Sequence, residues 1–589
     1  MSNSLQGPTP EEASDSPSTR REWLPLIVCC AYGVFLSILP HLVWWGHVGG
    51  PYWLADNDDL GVYAAIGAYS YHNHPARLGD PLEVSGGETI YSWFQFVPGV
   101  LITKALGLGP MDIILVWRVF GGVTIAAGWY LLLRHYFPRP WVVAGLTAFL
   151  LGDIGIRTAQ PLLKQFVVAA KLVAGQADDL FQWSNPLIHL QWRIISPALI
   201  MAYLLVFLWA LARALDRRGW PRIALAGLGF GLLFYVYLYY WTAAGLGLLL
   251  GVLLDRGRRR VHFHVGWIGG LIGLPSVVLS SLRQREFSPD LFPRIDVLPI
   301  DRFAMLVAPK AGLILLVVGL IWTLARRRDL TFLWCQAAAG LLLQNHQLVT
   351  GMQMQNFHWS LVWGPLLSLL IVLLITGELA GLRRFPGALR AGLLLLLAVH
   401  VGLAIWLRVE EARRTESSRE IMEPYRLYRL QRLSPQAQPL PPRAVVAGDP
   451  GLVDFAMVHE NTRPLDHYVV LVRPGLHDEE GDERRALNQF LLGRDHHEYA
   501  AEETRWIEAS HWGRWAASRS TPEERRERID RSIAAFDRVT ADLEAALDRY
   551  EVDYVALPSD QPPPAYLQEG WSPIQRGPYW NLWRRDSPP

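Results

Sequence analysis

The sequence predicts a polytopic α-helical membrane protein of about eleven spans, with a C-terminal α/β domain outside the membrane. Three observations predict it. The chain of 589 residues is 51% hydrophobic, has a positive mean hydropathy and holds 25 Trp, which is too apolar for an ordinary soluble enzyme. Its apolar residues gather in runs near the length of a bilayer span, separated by short basic loops. After residue 408 the apolar runs stop, and strand and helix signals alternate.

Residues 1–22, led by the Ser-, Pro- and Glu-rich stretch MSNSLQGPTPEEASDSPSTR, are expected to form a disordered tail. The next run has no small-residue cleavage site and is read as a retained first span. Candidate spans lie near 24–45, 112–133, 141–156, 192–213, 221–237, 239–254, 262–282, 304–325, 330–346, 359–380 and 388–408. The segment 221–254 is too long for one straight helix and is read as a hairpin. With that hairpin, and with 89–110 not spanning, the basic loops at Arg20-Arg21, Arg134/Arg139, Arg217-Arg218/Arg222, Arg256–Arg260, Arg326–Arg328 and Arg383-Arg384 all fall on one side. That side is expected to be the cytoplasm, with the N-terminus inside and the C-terminus outside. The segment TIYSWFQFVPGVLITKALGLGP, 89–110, is then a helix along the outer surface; the alternative is a genuine span and a hairpin elsewhere.

Under this topology residues 23–408 form the membrane domain. The outer side collects a first loop at 46–111, a second at 157–191, short loops at 283–303 and 347–358, and the tail. Within the tail, 409–441 is Pro-containing and reads as a linker, and 442–589 as a small soluble α/β domain. Ala444–Asp449, Tyr554–Pro558 and Tyr579–Trp583 read as strands. Thr521-Pro522-Glu523-Glu524 reads as a helix start, with a second at Thr540.

Net charge is +1, which gives no reason to expect a nucleic-acid partner. Cys29, Cys30 and Cys335 all lie in apolar runs, so neither a disulfide framework nor a cysteine metal cluster is indicated. The chain has no P-loop, dinucleotide-binding glycine fingerprint, HExxH or serine elbow. Charges within the spans are sparse, with Arg118 and Lys310 the main exceptions, and no inverted repeat accompanies them.

The candidate chemistry lies in the outer loops. WLADNDDLGVYAAI places Asp56, Asp58 and Asp59 just past the first span. One acid caps the following helix and favours its positive end; three exceed that need. A carboxylate at the bilayer surface can take a proton from a hydroxyl or amide nucleophile, and two close carboxylates can instead hold a divalent cation (Mg or Mn). Asp153, at the outer end of the third span, is a second acid, or a solvated cap. Arg157, Lys164 and Lys171 follow it and suit an anionic lipid phosphate or a plain surface anchor. LLLQNHQLVTGMQMQNFHW, 341–359, crowds Gln353, His346, His358 and further amides between two spans, either as a sugar- or phosphate-binding set or as a self-satisfied polar turn. Tyr240 and Trp241, in FYVYLYYWTAA, form an aromatic belt or a stacking surface for a sugar ring or prenyl chain.

The order of these parts resembles the GT-C superfamily of membrane glycosyltransferases, which includes protein O-mannosyltransferases, aminoarabinose transferases and oligosaccharyltransferase catalytic subunits. The resemblance rests on Asp56-Asn57-Asp58-Asp59 with Tyr63 downstream, on Asp80-Pro81, on Tyr91-Ser92-Trp93 to Pro98-Gly99, and on Asp153 in the second outer loop. It covers 24–408. The tail has no oligosaccharyltransferase WWD motif, and Asp-Asp stands where O-mannosyltransferases carry Asp-Glu, so no subfamily is assigned. The resemblance implies inverting transfer of a sugar from a polyprenyl-phosphate carrier to a lipid, glycan or protein acceptor, outside a bacterial cytoplasmic membrane. It implies Asp59, Asp58 or Asp56 as base, Asp153 assisting or holding a metal, and basic and His residues on the donor phosphate. A lipid or polysaccharide transporter and a non-catalytic scaffold of envelope assembly are the rival classes. The oligomeric state is open.

Overall fold

The computed structural model describes residues 19–48, 59–75, 78, 93–156, 159–176, 199–303, 310–380, 387–414, 423, 426–434, 437–467, 473–509 and 520–586. Each apolar run of the sequence forms a helix there. The first half of the membrane domain contains α1 (Thr19–Val48), α2 (Asp59–His72), α3 (Trp93–Ala105), α4 (Ile113–Tyr136), α5 (Pro140–Gly152), α6 (Pro161–Val173), α7 (Met201–Asp216), α8 (Trp220–Leu233) and α9 (Leu238–Leu254). The second half contains α10 (Arg259–Arg283), α11 (Leu291–Arg294), α12 (Lys310–Arg326), α13 (Thr331–Gln344), α14 (Gln347–Thr350), α15 (Ser360–Ala380) and α16 (Gly387–Arg414). Among the described residues five helical segments are long and apolar enough to cross a membrane: Trp23–Trp45, Pro110–Tyr136, Arg259–Arg283, Phe357–Gly377 and Arg390–Glu410. The chain therefore reads as an integral membrane protein. The other expected spans are shorter helices, among which Pro140–Gly152, Trp220–Leu233, Leu238–Leu254 and Leu316–Ala325 are apolar.

The bundle has two distinct ends. At one end the basic turns meet: His135 Nε2 lies 3.0 Å from Asp216, Arg218 donates to the Gly257 carbonyl at 2.6 Å, and Arg258 donates to the Arg328 carbonyl at 2.6 Å. The tail domain occupies the other end. The turn Phe234–Tyr237 also lies there, beside His358, so α8 and α9 run in opposite directions between the ends, as the hairpin reading requires. They do not form a tight pair. Gly231 of α8 lies against Ile272 of α10, whereas Gly247 of α9 lies against Gln336 of α13.

The segment 89–110 departs from its expectation. Within it α3 has 13 residues, a length of about 20 Å. It stays at the tail end and does not span. It is not laid out on a surface either: Gln95, Phe96, Val97, Val100 and Thr103 are buried, and Phe96 packs edge-on against Trp117 of α4.

The tail domain carries a five-stranded sheet in the order β4-β3-β5-β7-β6. Its strands are β3 (Val445–Ala447), β4 (Arg463–Pro464), β5 (Val552–Pro558), β6 (Trp571–Arg576) and β7 (Trp580–Arg585). β4, β3 and β5 are parallel; β7 and β6 complete the sheet as an antiparallel hairpin. The separate short pair β1 (Val297–Pro299) and β2 (Met352–Met354) belongs to the membrane domain. The helices are α17 (Pro450–Glu460), α18 (Asp478–Leu491), α19 (His496–Glu508), α20 (Pro522–Ala541) and α21 (Leu543–Arg549). The three strands read from the sequence are present. So is the helix start at Thr521, whose hydroxyl accepts from the Glu524 amide while the Glu524 carboxylate accepts from the Thr521 amide. The second start is Asp542, not Thr540: Thr540 bonds back to the Phe536 carbonyl inside α20, and Asp542 caps α21 through the Ala545 amide. Residues 426–434 of the expected linker are built into the domain. Gln431 is buried and exchanges hydrogen bonds with the Trp580 backbone, and Arg432 binds Glu460 and Gln575.

Beneath the sheet, α18 and α20 are joined by carboxylate–guanidinium contacts. Glu483 accepts from Tyr550 Oη at 2.6 Å, Arg549 at 2.8 Å and Arg538 at 3.1 Å. Burial alone raises this carboxyl, but the phenol and the two guanidinium groups outweigh it and leave it below its ordinary value. A depressed carboxyl stabilises the fold at neutral pH, and that stabilisation is lost as pH falls through the depressed value. Glu483→Gln should therefore destabilise the tail domain by about 1–3 kcal/mol at neutral pH and lower its denaturation midpoint accordingly. The difference from the native protein should shrink on acidification below about pH 4. Chemical denaturation of the purified full chain, followed by tail tryptophan fluorescence, checks both.

Candidate active site

The acidic motif opens α2. Asp56 and Asp58 lie outside the described residues, as does Arg157; Asp59 is the first residue of the helix. This is where an acid favours the unpaired amides of a helix start. One turn on, Tyr63 is buried with its ring 5.7 Å from that of Phe96, so it faces α3. From Tyr63 to Ser70 every residue of α2 is buried. The reason is that α2 is covered on two sides, by the membrane helices and by α17 of the tail domain. His72 donates Nε2–H to the Val458 carbonyl at 2.8 Å, Asn73 donates to Asn461 at 3.2 Å, and the Arg443 guanidinium lies 5.2 Å over the Tyr69 ring.

A second polar group forms where the 341–359 stretch meets the α8–α9 turn. Tyr237 Oη hydrogen bonds His358 Nδ1. The Tyr239 ring stacks on the His358 imidazole at 4.6 Å, and its hydroxyl donates to Gln355 Oε1 at 2.9 Å. Gln355 in turn donates to the Ile295 carbonyl at 2.7 Å, and Gln353 donates to the buried Asp296 carboxylate at 2.8 Å. Asp296 and Gln355 face each other at one end of the β1–β2 ladder, and both hold positive φ, at 67° and 47°. Two non-glycine residues in the left-handed region at one point mark a strained, overdetermined site of the kind found at ligand clamps. His346 packs against Trp359 at 4.6 Å. Tyr240 is fully buried, edge-on to Tyr237, and its hydroxyl has no hydrogen-bond partner among the described residues.

α3 joins the two groups. Phe96 touches Tyr63 of the acid-bearing helix, while the Gln95 amide donates to the Val236 carbonyl and Phe94 meets Tyr235, both in the α8–α9 turn. The close approach depends on Gly99: a Cβ there would lie 2.0 Å from Trp117 Nε1.

Of the residues singled out in the sequence, His346, Gln353, His358 and Tyr240 therefore gather in one cluster. Trp241 turns away and stacks on Phe234 at 4.4 Å. Lys164 is half-buried on α6, in the second loop. Asp153 is not an acid in an open loop. It ends α5 with a φ of 67° and is 1% exposed. Arg408 of α16 donates to the carbonyls of Gly152 and Leu151 beside it, and Ile154 is packed among Val168, Ala404 and Leu407. Asp296 is not among the candidates read from the sequence, and Tyr237 and Tyr239 enter them only as part of the aromatic stretch FYVYLYYWTAA. Asp296 is a lone acid in LFPRIDVLP, and nothing in its spacing links it to a glutamine 57 positions later.

Of the three aspartates weighed as cation ligands, only Asp153 has a described side chain. Among the described residues no group of three or more His, Cys, Asp or Glu side chains is arranged to hold a metal ion.

No family model matches the chain, and no curated protein does. Solved structures do. The chain is similar to the Archaeoglobus fulgidus oligosaccharyltransferase in its apo form, at 14% identity and a TM-score of 0.40, over 92% of this chain and 70% of that one. It is also similar to ArnT from Cupriavidus metallidurans. The form bound to undecaprenyl phosphate gives 12% identity and a TM-score of 0.47, and the apo form 12% and 0.45; each covers 94% of this chain and 99% of the other.

Two predictions test this architecture. Gly99→Val should force α3 away from Trp117 and cost about 1–3 kcal/mol; thermal unfolding in detergent measures it. Burial, with Lys104 nearby, holds His72 below its ordinary value, and burial together with His72 does the same to His459. Both are neutral at pH 7, and the folded interface resists their protonation, so its stability should fall as pH drops below about 6.5. Hydrogen exchange in 59–72, corrected for intrinsic rate, should rise at pH 5.5 relative to pH 7.5. His72→Gln should flatten that change.

Proposed function

We propose that this chain is an inverting GT-C-type glycosyltransferase, moving a hexosyl or pentosyl group from a polyprenyl-phosphate carrier to a lipid, glycan or protein acceptor. In this reading the tail end of the bundle is the outer face of a bacterial cytoplasmic membrane, and the basic end is cytoplasmic. The observation that carries the reading is the bridge made by α3 between the acid-bearing start of α2 and the strained His358–Tyr237–Gln355–Asp296 cluster. The backbone that carries Asp59 and a set of donors and acceptors for hydroxyl or phosphate oxygens are thereby linked through α3 at the end of the bundle assigned to a lipid-borne substrate.

The chemistry follows from those parts. The acceptor hydroxyl or amide attacks the anomeric carbon from the face opposite the lipid phosphate. The new bond to the anomeric carbon forms as the bond to the phosphate oxygen breaks, and the electron pair leaves with the phosphate. One displacement inverts the configuration. Asp59, Asp58 or Asp56 takes the proton of the nucleophile. A lipid phosphate is stable as an anion at neutral pH and needs no general acid, so one essential carboxylate suffices where a glycosidase uses two. His358, Gln353 and Tyr240 supply the donors and acceptors for sugar or phosphate oxygens, with His346 in the same cluster and Tyr63 one turn past the acidic motif. A divalent cation at Asp56 or Asp58, if bound, would supply charge neutralisation for the donor phosphate.

A lipid or polysaccharide transporter is the second reading. One observation favours it: His400 and Arg408 are buried within the candidate span Arg390–Glu410, next to the buried Asp153, and buried ionisable groups in spans often mark a path. Asp→Asn substitution at 59, 58 and 56 separates the two. At one of these positions transfer of a radiolabelled sugar from a polyprenyl-phosphate donor should drop at least about 100-fold while membrane insertion is unchanged. Wild-type transfer by all three single variants would remove the acidic motif from the mechanism.

A further inference from the structure

The helix α6 has a feature that the sugar-transfer reading does not use. Its buried side is narrow: Gln165 bonds His400 at 2.7 Å, and Val168 packs with Ala404 and Leu407 of α16. Its other side is apolar and open. Leu163, Phe166, Val167, Ala170 and Val173 fall at the i, i+3, i+4 spacing of one helix face, and Phe166 is 65% exposed. Lys164 and Lys171, two of the four lysines in the chain, lie seven apart along one edge of that stripe. α16 carries exposed apolar residues as well, at Leu394, Leu395 and Val399 within a candidate span. Thirteen residues make a helix of about 20 Å, too short to cross hydrocarbon alone.

We infer that α6 is a membrane-contacting helix: its apolar stripe rests in the bilayer leaflet at the tail end, and Lys164 and Lys171 bind the phosphates of anionic phospholipid. α6 packs through Gln165 and Val168 on α16, itself a candidate membrane span with exposed apolar residues, and a bilayer around that span is what covers the stripe. The lysine edge supplies the charge complementary to anionic headgroups. The butylammonium arms suit that boundary, with apolar stems along the helix and cationic tips at the headgroups. The surface is distinct from the α2–α3 cluster and does not require the chain to transfer sugar.

The test uses the full-length protein carrying the photoreactive residue p-benzoylphenylalanine at Phe166, in vesicles of phosphatidylethanolamine and phosphatidylglycerol. Irradiation should attach lipid to the 166 peptide several-fold more often than to a control peptide with the same residue at Tyr579 of the tail. Phosphatidylglycerol should be over-represented among the adducts. The double change Lys164→Gln, Lys171→Gln should return the adducts to the bulk lipid ratio while total lipid capture persists. Capture no higher than at the Tyr579 control, or cross-links to a second copy of the chain, would overturn the membrane contact. An unchanged phosphatidylglycerol excess in the double variant would overturn the role of the lysines.

Discussion

The architecture depends on the crossing of α1 and α4. A Cβ on Gly33 would lie 2.3 Å from the Gly122 carbonyl oxygen, and one on Gly122 would lie 2.7 Å from the Gly33 oxygen. Lipid chains are as apolar as the helices they surround, so helices in a bilayer gain little from hiding apolar surface and associate mainly through close packing. Two missing side chains bring two backbones together and fix the first span against α4. From there the constraint passes outward. Trp117 of α4 meets Gly99 of α3, and α3 carries Phe96 to Tyr63 and Gln95 to the α8–α9 turn. The candidate site is the far end of this chain of contacts.

The tail domain adds a second bridge over the same ground. Its α17 covers α2, while Pro474, Leu476 and Asp478 hold the loop before β1. The Pro474 carbonyl accepts from the Ser288 amide at 2.7 Å, Arg294 donates to the Leu476 carbonyl at 2.7 Å, and the Asp478 amide donates to Asp290 at 3.1 Å. Asp296 lies two residues beyond Arg294. The domain thus touches both the acid-bearing helix and the segment that supplies the buried acid of the polar cluster. It is docked onto the membrane domain and does not hang from a linker, which is why Gln431 and Arg432 are spent on anchoring the chain that leads into it.

Local patterns were legible where one segment decides its own state. Thr521 with Pro522 and Glu524 specified a helix start, and the alternation around Val445 and Tyr554 specified strands. Thr540 misled because a threonine hydroxyl inside a helix can bond the carbonyl four residues back as readily as it can cap a new one. Asp153 misled for a related reason. An acid at the end of an apolar run suggests exposure, but α5 stops there against α16, and Arg408 comes from 255 positions away. The amphipathic period of PLLKQFVVAAKLV lies in the second loop, where Lys164 and Lys171 are the more conspicuous signal.

By itself, the sequence determined a helical membrane protein with basic turns on one side, strand and helix signals in the tail, and an acidic motif just past the first apolar run. Hydropathy, charge bias and capping chemistry act over one to twenty residues, so they can be read in a line. Only the tertiary structure decided which polar residues share a site. It put His358 with Tyr237, Gln353 with Asp296, and Val458 with His72, pairs that lie 57 to 386 positions apart. Such pairs are fixed by helix packing and by the need to satisfy buried polar groups, and neither leaves a periodic mark in the chain.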